Sequence, residues 1–172
     1  MSESQPEPAS LYYEDLAVGQ VFRTGTVAVD EEAMIAFASK YDPQPFHLNE
    51  EAGRESLFGG LVASGWYTAS LAMRLFVDGE LRIVGGLIGL GIEELRWPRP
   101  VVAGDVIRVE MEVVRLRPSQ SRPDRGILQL RNTTLNQHDQ TVMTQLVNMI
   151  VPRRPLQKIV PLRPLRGPQP RS

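Results

Sequence analysis

Only two histidines occur in the 172 residues, and one of them closes the segment YDPQPFH, residues 41–47. His47 lies five residues after Asp42, and Pro43 and Pro45 each fix a backbone angle between them. A carboxylate and an imidazole that converge on one water could remove a proton from it and return one to another atom of a substrate. The same residues also describe a rigid turn, because Asp before Pro is a common turn dipeptide. From the heptapeptide alone both readings stand.

A second chemical feature follows eighteen residues beyond His47, where Ser64-Gly65 opens the segment SGWYTASLAMRLFV. From Gly65 to Val77 the only charge is Arg74, and a helix apolar on nearly every face belongs in the middle of a domain. The N-terminus of such a helix presents unsatisfied N–H groups and a partial positive charge, and glycine lets a ligand approach the amide of residue 65 closely. That equipment suits a developing oxyanion. The competing reading gives Gly59, Gly60 and Gly65 to turns and close packing.

The elements that must hold these residues can be read in outline. EDLAVGQVFRTGTVAV ends in a strand over 21–29, and Asp30 reads as the N-cap of a helix with two acids in its first turn. Met34, Phe37, Ala38 and Tyr41 recur at i, i+3, i+4 and i+7, the apolar face of that helix, which must stop before Pro43. Asn49 can cap a short helix over NEEAGRES. Ile107, Val109, Met111 and Val113 alternate with charged residues, the mark of a strand with one buried face. Further strands are expected over 83–97, 127–136 and 141–151, the last two joined by the polar turn Gln137–Gln140, which places His138 in solvent. Helices first and then antiparallel strands predict an α+β fold.

Composition narrows the function classes. Apolar residues at 42% and charged residues at 23% suit a globular chain long enough for a real core. With no cysteine, disulfides, thiolate metal sites and cysteine nucleophiles are excluded, and two histidines are too few for an imidazole-rich metal site. The N-terminus has no signal-like pattern and no apolar run reaches roughly 18 residues, so a cytoplasmic protein without a membrane span is expected. Residues 152–172 carry six cations and no acid; removing them from the net charge of −1 leaves the rest at −7, which argues against nucleic acid. The chain divides into an acidic leader over 1–10, a domain over 11–151 and a basic, proline-rich tail over 152–172. That tail is either solvated or an arm for a phosphate-bearing ligand or an acidic neighbouring subunit.

DPQPFHLNEEAGRESLFGGLVASGW resembles the hydratase motif of the MaoC-like dehydratases, the (R)-specific enoyl-CoA hydratase group. Asp42, Pro45 and His47 match its Asp, Pro and His, Gly65 matches its oxyanion glycine, and WPRPVVAGDVIRVEMEVV resembles its strand–turn–strand. The resemblance runs from about Leu11 to Val151. It implies a hot-dog fold, with an antiparallel sheet wrapped around the helix from Gly65. It further implies a homodimer and reversible syn addition of water to a trans-2-enoyl-CoA, with coenzyme A present only as part of the substrate and no other cofactor. Asp42 and His47 would activate water, while Gly65, with Ser64 and Gln44, would serve the oxyanion and the substrate. Gln44 departs from the more usual Asn, and the hydroxyl that the family sets near the Asp is expected from Thr68 or Ser70. Two rivals remain: a hot-dog thioesterase, disfavoured because no acid lies between Trp66 and Val77, and a non-catalytic acyl-CoA binding module, which need not keep both Asp42 and His47.

Overall fold

The computed structural model describes residues 10–155; most of the leader and the tail beyond residue 155 lie outside the described residues. Strand β1 (Val21–Ala28) leads into helix α1 (Glu31–Tyr41), whose N-cap Asp30 accepts the Ala33 N–H at 2.8 Å. Then come α2 (Pro45–Leu48), α3 (Glu50–Glu55) and the longest helix, α4 (Gly65–Asp78). Strands β2 (Ile88–Arg96), β3 (Val106–Pro118), β4 (Arg125–Leu135) and β5 (Thr141–Pro152) follow among the described residues. They form one sheet in the order β1-β3-β4-β5-β2, every neighbouring pair antiparallel.

The alternation in β3 sets which face turns inward. Ile107, Val109, Met111 and Val113 are buried, and Leu128 and Leu130 of β4 and Met149 and Val151 of β5 continue the same surface. Against it pack Tyr67, Ala72, Leu75 and Phe76 of α4, with Met34 of α1 joining the same core. Fully burying side chains of this size contributes about 1.5–3 kcal/mol each, which fixes the position of α4 against the sheet. The result is a hot-dog fold, as the motif resemblance implied.

Four local expectations are revised. The segment between Asp42 and Asn49 is not an open turn: α2 forms there, because proline is tolerated at the first helical position, where its missing N–H is not needed. Strand β2 begins at Ile88 rather than Ile83, since Gly85 and Gly86 take positive φ (77° and 92°) and make a turn, leaving Ile83 in an isolated bridge with Leu11. Helix α4 is not covered all round, because Trp66, Met73 and Val77 are more than half exposed. Tyr41 also turns outward, its ring tilted against that of Phe37 with centroids 5.0 Å apart. The polar turn at Asn136–Gln140 forms as expected, with Asp139 at φ 59° and His138 exposed. At the start of the basic segment, Arg153 and Arg154 are tied to Glu14 and Asp15 at 2.9 and 2.6 Å. The Arg154 N–H and then the Arg153 guanidinium hold the Glu14 carboxyl below its usual range.

The chain reaches the start of α4 through a tight crossing. A Cβ on Gly53 would lie 2.5 Å from the Gly60 backbone, so α3 touches the 56–60 loop main chain to main chain. Backbone cannot move aside as a side-chain tip can. Gly53→Ala is therefore expected to destabilise the fold by about 1–3 kcal/mol, measured as a lower urea midpoint.

Candidate active site

The site is assembled by two short stretches of chain. Helix α1 ends with the Asp42 N–H donating to Ala38 O at 2.9 Å, and Pro43 prevents another turn. Gln44 N–H then donates to Asp42 O (2.7 Å) and His47 N–H to Gln44 O (2.9 Å) as α2 starts at Pro45. This reversal sets the two side chains side by side, with His47 Nε2 3.4 Å from Asp42 Oδ2.

The second stretch, 61–65, locks both. His47 Nδ1 lies 2.8 Å from Val62 O, and Val62 N–H donates to Phe46 O at 3.2 Å. A carbonyl only accepts, so Nδ1 carries the hydrogen and, in the neutral ring, Nε2 faces Asp42 with its lone pair. Ser64 Oγ donates to Asp42 Oδ2 at 2.7 Å and accepts the Trp66 N–H at 3.2 Å, so one hydroxyl caps α4 and orients the carboxylate. His47 is 7% exposed and Ser64 fully buried. Gly65, first in α4, has no carbonyl one turn back to occupy its N–H.

Asp42, His47, Gly65 and Thr68 form the polar side of a cavity of about 560 Å³, a size suited to a small ligand. Phe46, Phe58, Trp66 and Trp97 form its apolar walls, and Arg99 stands in its lining. The arrangement offers two adjacent proton-transfer groups in a cavity that a residue at a helix N-terminus, Gly65, also lines.

Not every residue proposed from the sequence reaches this cavity. Asp42, His47 and Gly65 line it. Ser64 lies behind Asp42 and acts on the carboxylate rather than on anything in the cavity. Gln44 is exposed and outside the lining, its backbone serving α2 as N-cap. The hydroxyl at Asp42 belongs to neither residue expected to supply it: Ser70 Oγ donates to Trp66 O (2.8 Å) in solvent, and Thr68 Oγ1 to Ser64 O (3.4 Å). A further residue at the site is Trp97, whose Nε1–H donates to Gly65 O at 3.0 Å; in the sequence its only signal was an aromatic side chain beside two prolines in WPRP. Among the described residues no group of three or more His, Asp or Glu is placed to hold a metal, and no helix is long and apolar enough to cross a membrane.

Ser64→Ala removes the cap of α4 and a charge-assisted hydrogen bond together. It is expected to lower stability by about 1–3 kcal/mol in thermal or urea unfolding. Ser70→Ala, which loses only an exposed bond within the helix, should stay within about 0.5 kcal/mol of wild type.

Comparison with known proteins bears on the family and the fold. The MaoC like domain profile matches residues 15–134. A crystal structure of a MaoC-like dehydratase from Rhodospirillum rubrum is 50% identical, covers 86% of this chain and 100% of its own, and superposes with a TM-score of 0.82. An (R)-hydratase from Pseudomonas aeruginosa is 27% identical over 84% of this chain and 88% of its own, with a TM-score of 0.66. The 3-hydroxybutyryl-CoA dehydratase of Methylorubrum extorquens is 32% identical over 121 residues, 68% of this chain and 73% of that protein. With a profile match over most of its length and this fold, the chain belongs to the MaoC-like dehydratase family.

Proposed function

We propose that the protein is a hydro-lyase that interconverts a trans-2-enoyl-CoA and the corresponding (R)-3-hydroxyacyl-CoA. The observation that carries this reading is that Asp42, His47 and Gly65 line one cavity, with Ser64 holding the Asp42 carboxylate from behind. A water between Asp42 and His47 would donate one O–H to the carboxylate and the other to Nε2, leaving an oxygen lone pair for C3 of the substrate. As the C3–O bond forms, one group of the pair takes a proton, and a proton passes from the pair to C2. The total charge of the pair is then unchanged, and the 3.4 Å gap lets a proton move between its members. Negative charge growing on the thioester oxygen would be met by the Gly65 N–H. Coenzyme A enters only as part of the substrate, and the chemistry calls for no further cofactor.

Thioester hydrolysis is less well supported. Many hot-dog thioesterases place a carboxylate on or beside the central helix to activate the hydrolytic water, and the only acid of α4, Asp78, sits at the far end, paired with Arg74 at 2.6 Å. Hydration of trans-2-enoyl-CoA esters of graded chain length, followed by loss of enoyl absorbance, tests the proposal. Asp42→Asn and His47→Ala should each lower kcat by at least about 100-fold while the protein stays folded. Unchanged rates would overturn the mechanism, and hydrolysis without hydration would favour the thioesterase.

We further infer that the working unit is a homodimer. β2 lies at the free edge of the sheet with Ile88, Leu90 and Ile92 at least half exposed, and α4 turns Trp66, Met73 and Val77 outward. A lone chain would leave these large apolar groups in water, and a second copy offers the matching surface. Light scattering should give twice the 19.2 kDa of one chain, and Ile92→Lys should shift the protein toward monomer. A monomeric wild type contradicts the inference.

A further inference from the structure

We infer that Trp97 is a positioning residue for the oxyanion donor, holding the first turn of α4 through Gly65. The inference builds on the reading above, in which the Gly65 N–H meets the thioester oxygen. Trp97 Nε1–H donates to Gly65 O at 3.0 Å, and the indole ring rests on the Gly65 Cα. A Cβ at residue 65 would lie 2.7 Å from Trp97 Cε2, so the ring by itself requires glycine there. Two demands therefore fall on Gly65: close approach of a ligand from one side and seating of an indole from another.

The mechanical consequence follows from how a helix starts. First-turn residues are held only by the bonds their carbonyls accept, and helix ends fray. The peptide unit carrying the Gly65 N–H has Ser64 O at its other end, which accepts from Thr68 N–H at 3.1 Å and from Thr68 Oγ1 at 3.4 Å. The next peptide unit is fixed by the indole. Gly65 is thus clamped on both sides, within α4 by Thr68 and across the fold by Trp97. The clamp is itself rigid: Trp97 precedes Pro98, which restricts its backbone to extended geometry, and Trp66 buttresses it edge-on at 5.6 Å. Because β2 ends at Arg96, the alignment of the donor is set by the edge of the sheet as well as by the helix.

Trp97→Phe keeps a ring and removes the N–H, and Trp97→His offers a new ring N–H. Two readouts separate alignment from folding. One is the carbonyl stretch of bound butyryl-CoA, a saturated thioester that cannot be hydrated; the other is kcat and KM for trans-2-butenoyl-CoA. In wild type the carbonyl band should move to lower frequency on binding. In Trp97→Phe at least about half of that shift should be lost, with kcat lowered about tenfold and KM within about twofold. Trp97→His should recover part of both. Circular dichroism confirms that the variants are folded. A Trp97→Phe protein with the wild-type band and wild-type kcat overturns the inference, and so does a wild-type protein that binds butyryl-CoA without shifting its band. A wild type that shifts the band but hydrates nothing sinks the hydratase reading, and the band in Trp97→Phe then decides the role of Trp97 alone.

Discussion

One buried hydroxyl joins the scaffold of this protein to its chemistry. Ser64 Oγ accepts the Trp66 N–H, which starts α4, and donates to Asp42 Oδ2, which sets the carboxylate. Ser64 is fully buried, so neither bond competes with bulk water, and losing the donor would strand a partly buried carboxylate. The start of the central helix, the direction of Asp42 and the position of the Gly65 amide are consequently not independent. Any shift of α4 against the sheet would move the Asp42 carboxylate and the Gly65 amide together.

The rest of the fold keeps that joint still. The inner face of β3, β4 and β5 packs against α4, while α1 delivers Asp42 at its C-terminal end and is itself anchored by Met34 in the core. His47 is tied to the strand-like approach to α4 by the Nδ1–Val62 bond, and that approach is held to the sheet side by Ala63 N–H donating to Val101 O at 2.8 Å. Trp97 adds a lateral tie to the first turn. Polar groups at the cavity are thus set by rigid neighbours, as a pre-organised site requires.

Much of this was legible in the chain because it depends on local rules. The Asp30 cap, the stop of α1 before Pro43, the alternation of Ile107, Val109, Met111 and Val113 and the turn at 137–140 each follow from a few adjacent residues. The pairing of Asp42 with His47 was readable for the same reason, since only five residues separate them. Other features escaped because their partners are distant. Ser64 meets Asp42 across 22 positions and Trp97 meets Gly65 across 32, and no periodicity reports such contacts. Helix α2 was hidden because Pro45 reads as a breaker although it suits a first turn. The outward stripe of Trp66, Met73 and Val77 was hidden because an apolar pattern does not distinguish a buried apolar residue from an exposed one.

The central claim is that Asp42 and His47, on one side of the cavity, deliver both parts of water to the same face of the substrate. Hydration of trans-2-butenoyl-CoA in D₂O, with the product resolved by chirality and by proton NMR, tests it directly. The expected product is the (R)-3-hydroxybutyryl thioester with one deuterium at C2, on the face that received the hydroxyl. Deuterium on the opposite face would contradict a single-sided Asp42/His47 mechanism, and an (S) product would contradict the (R)-specific reading.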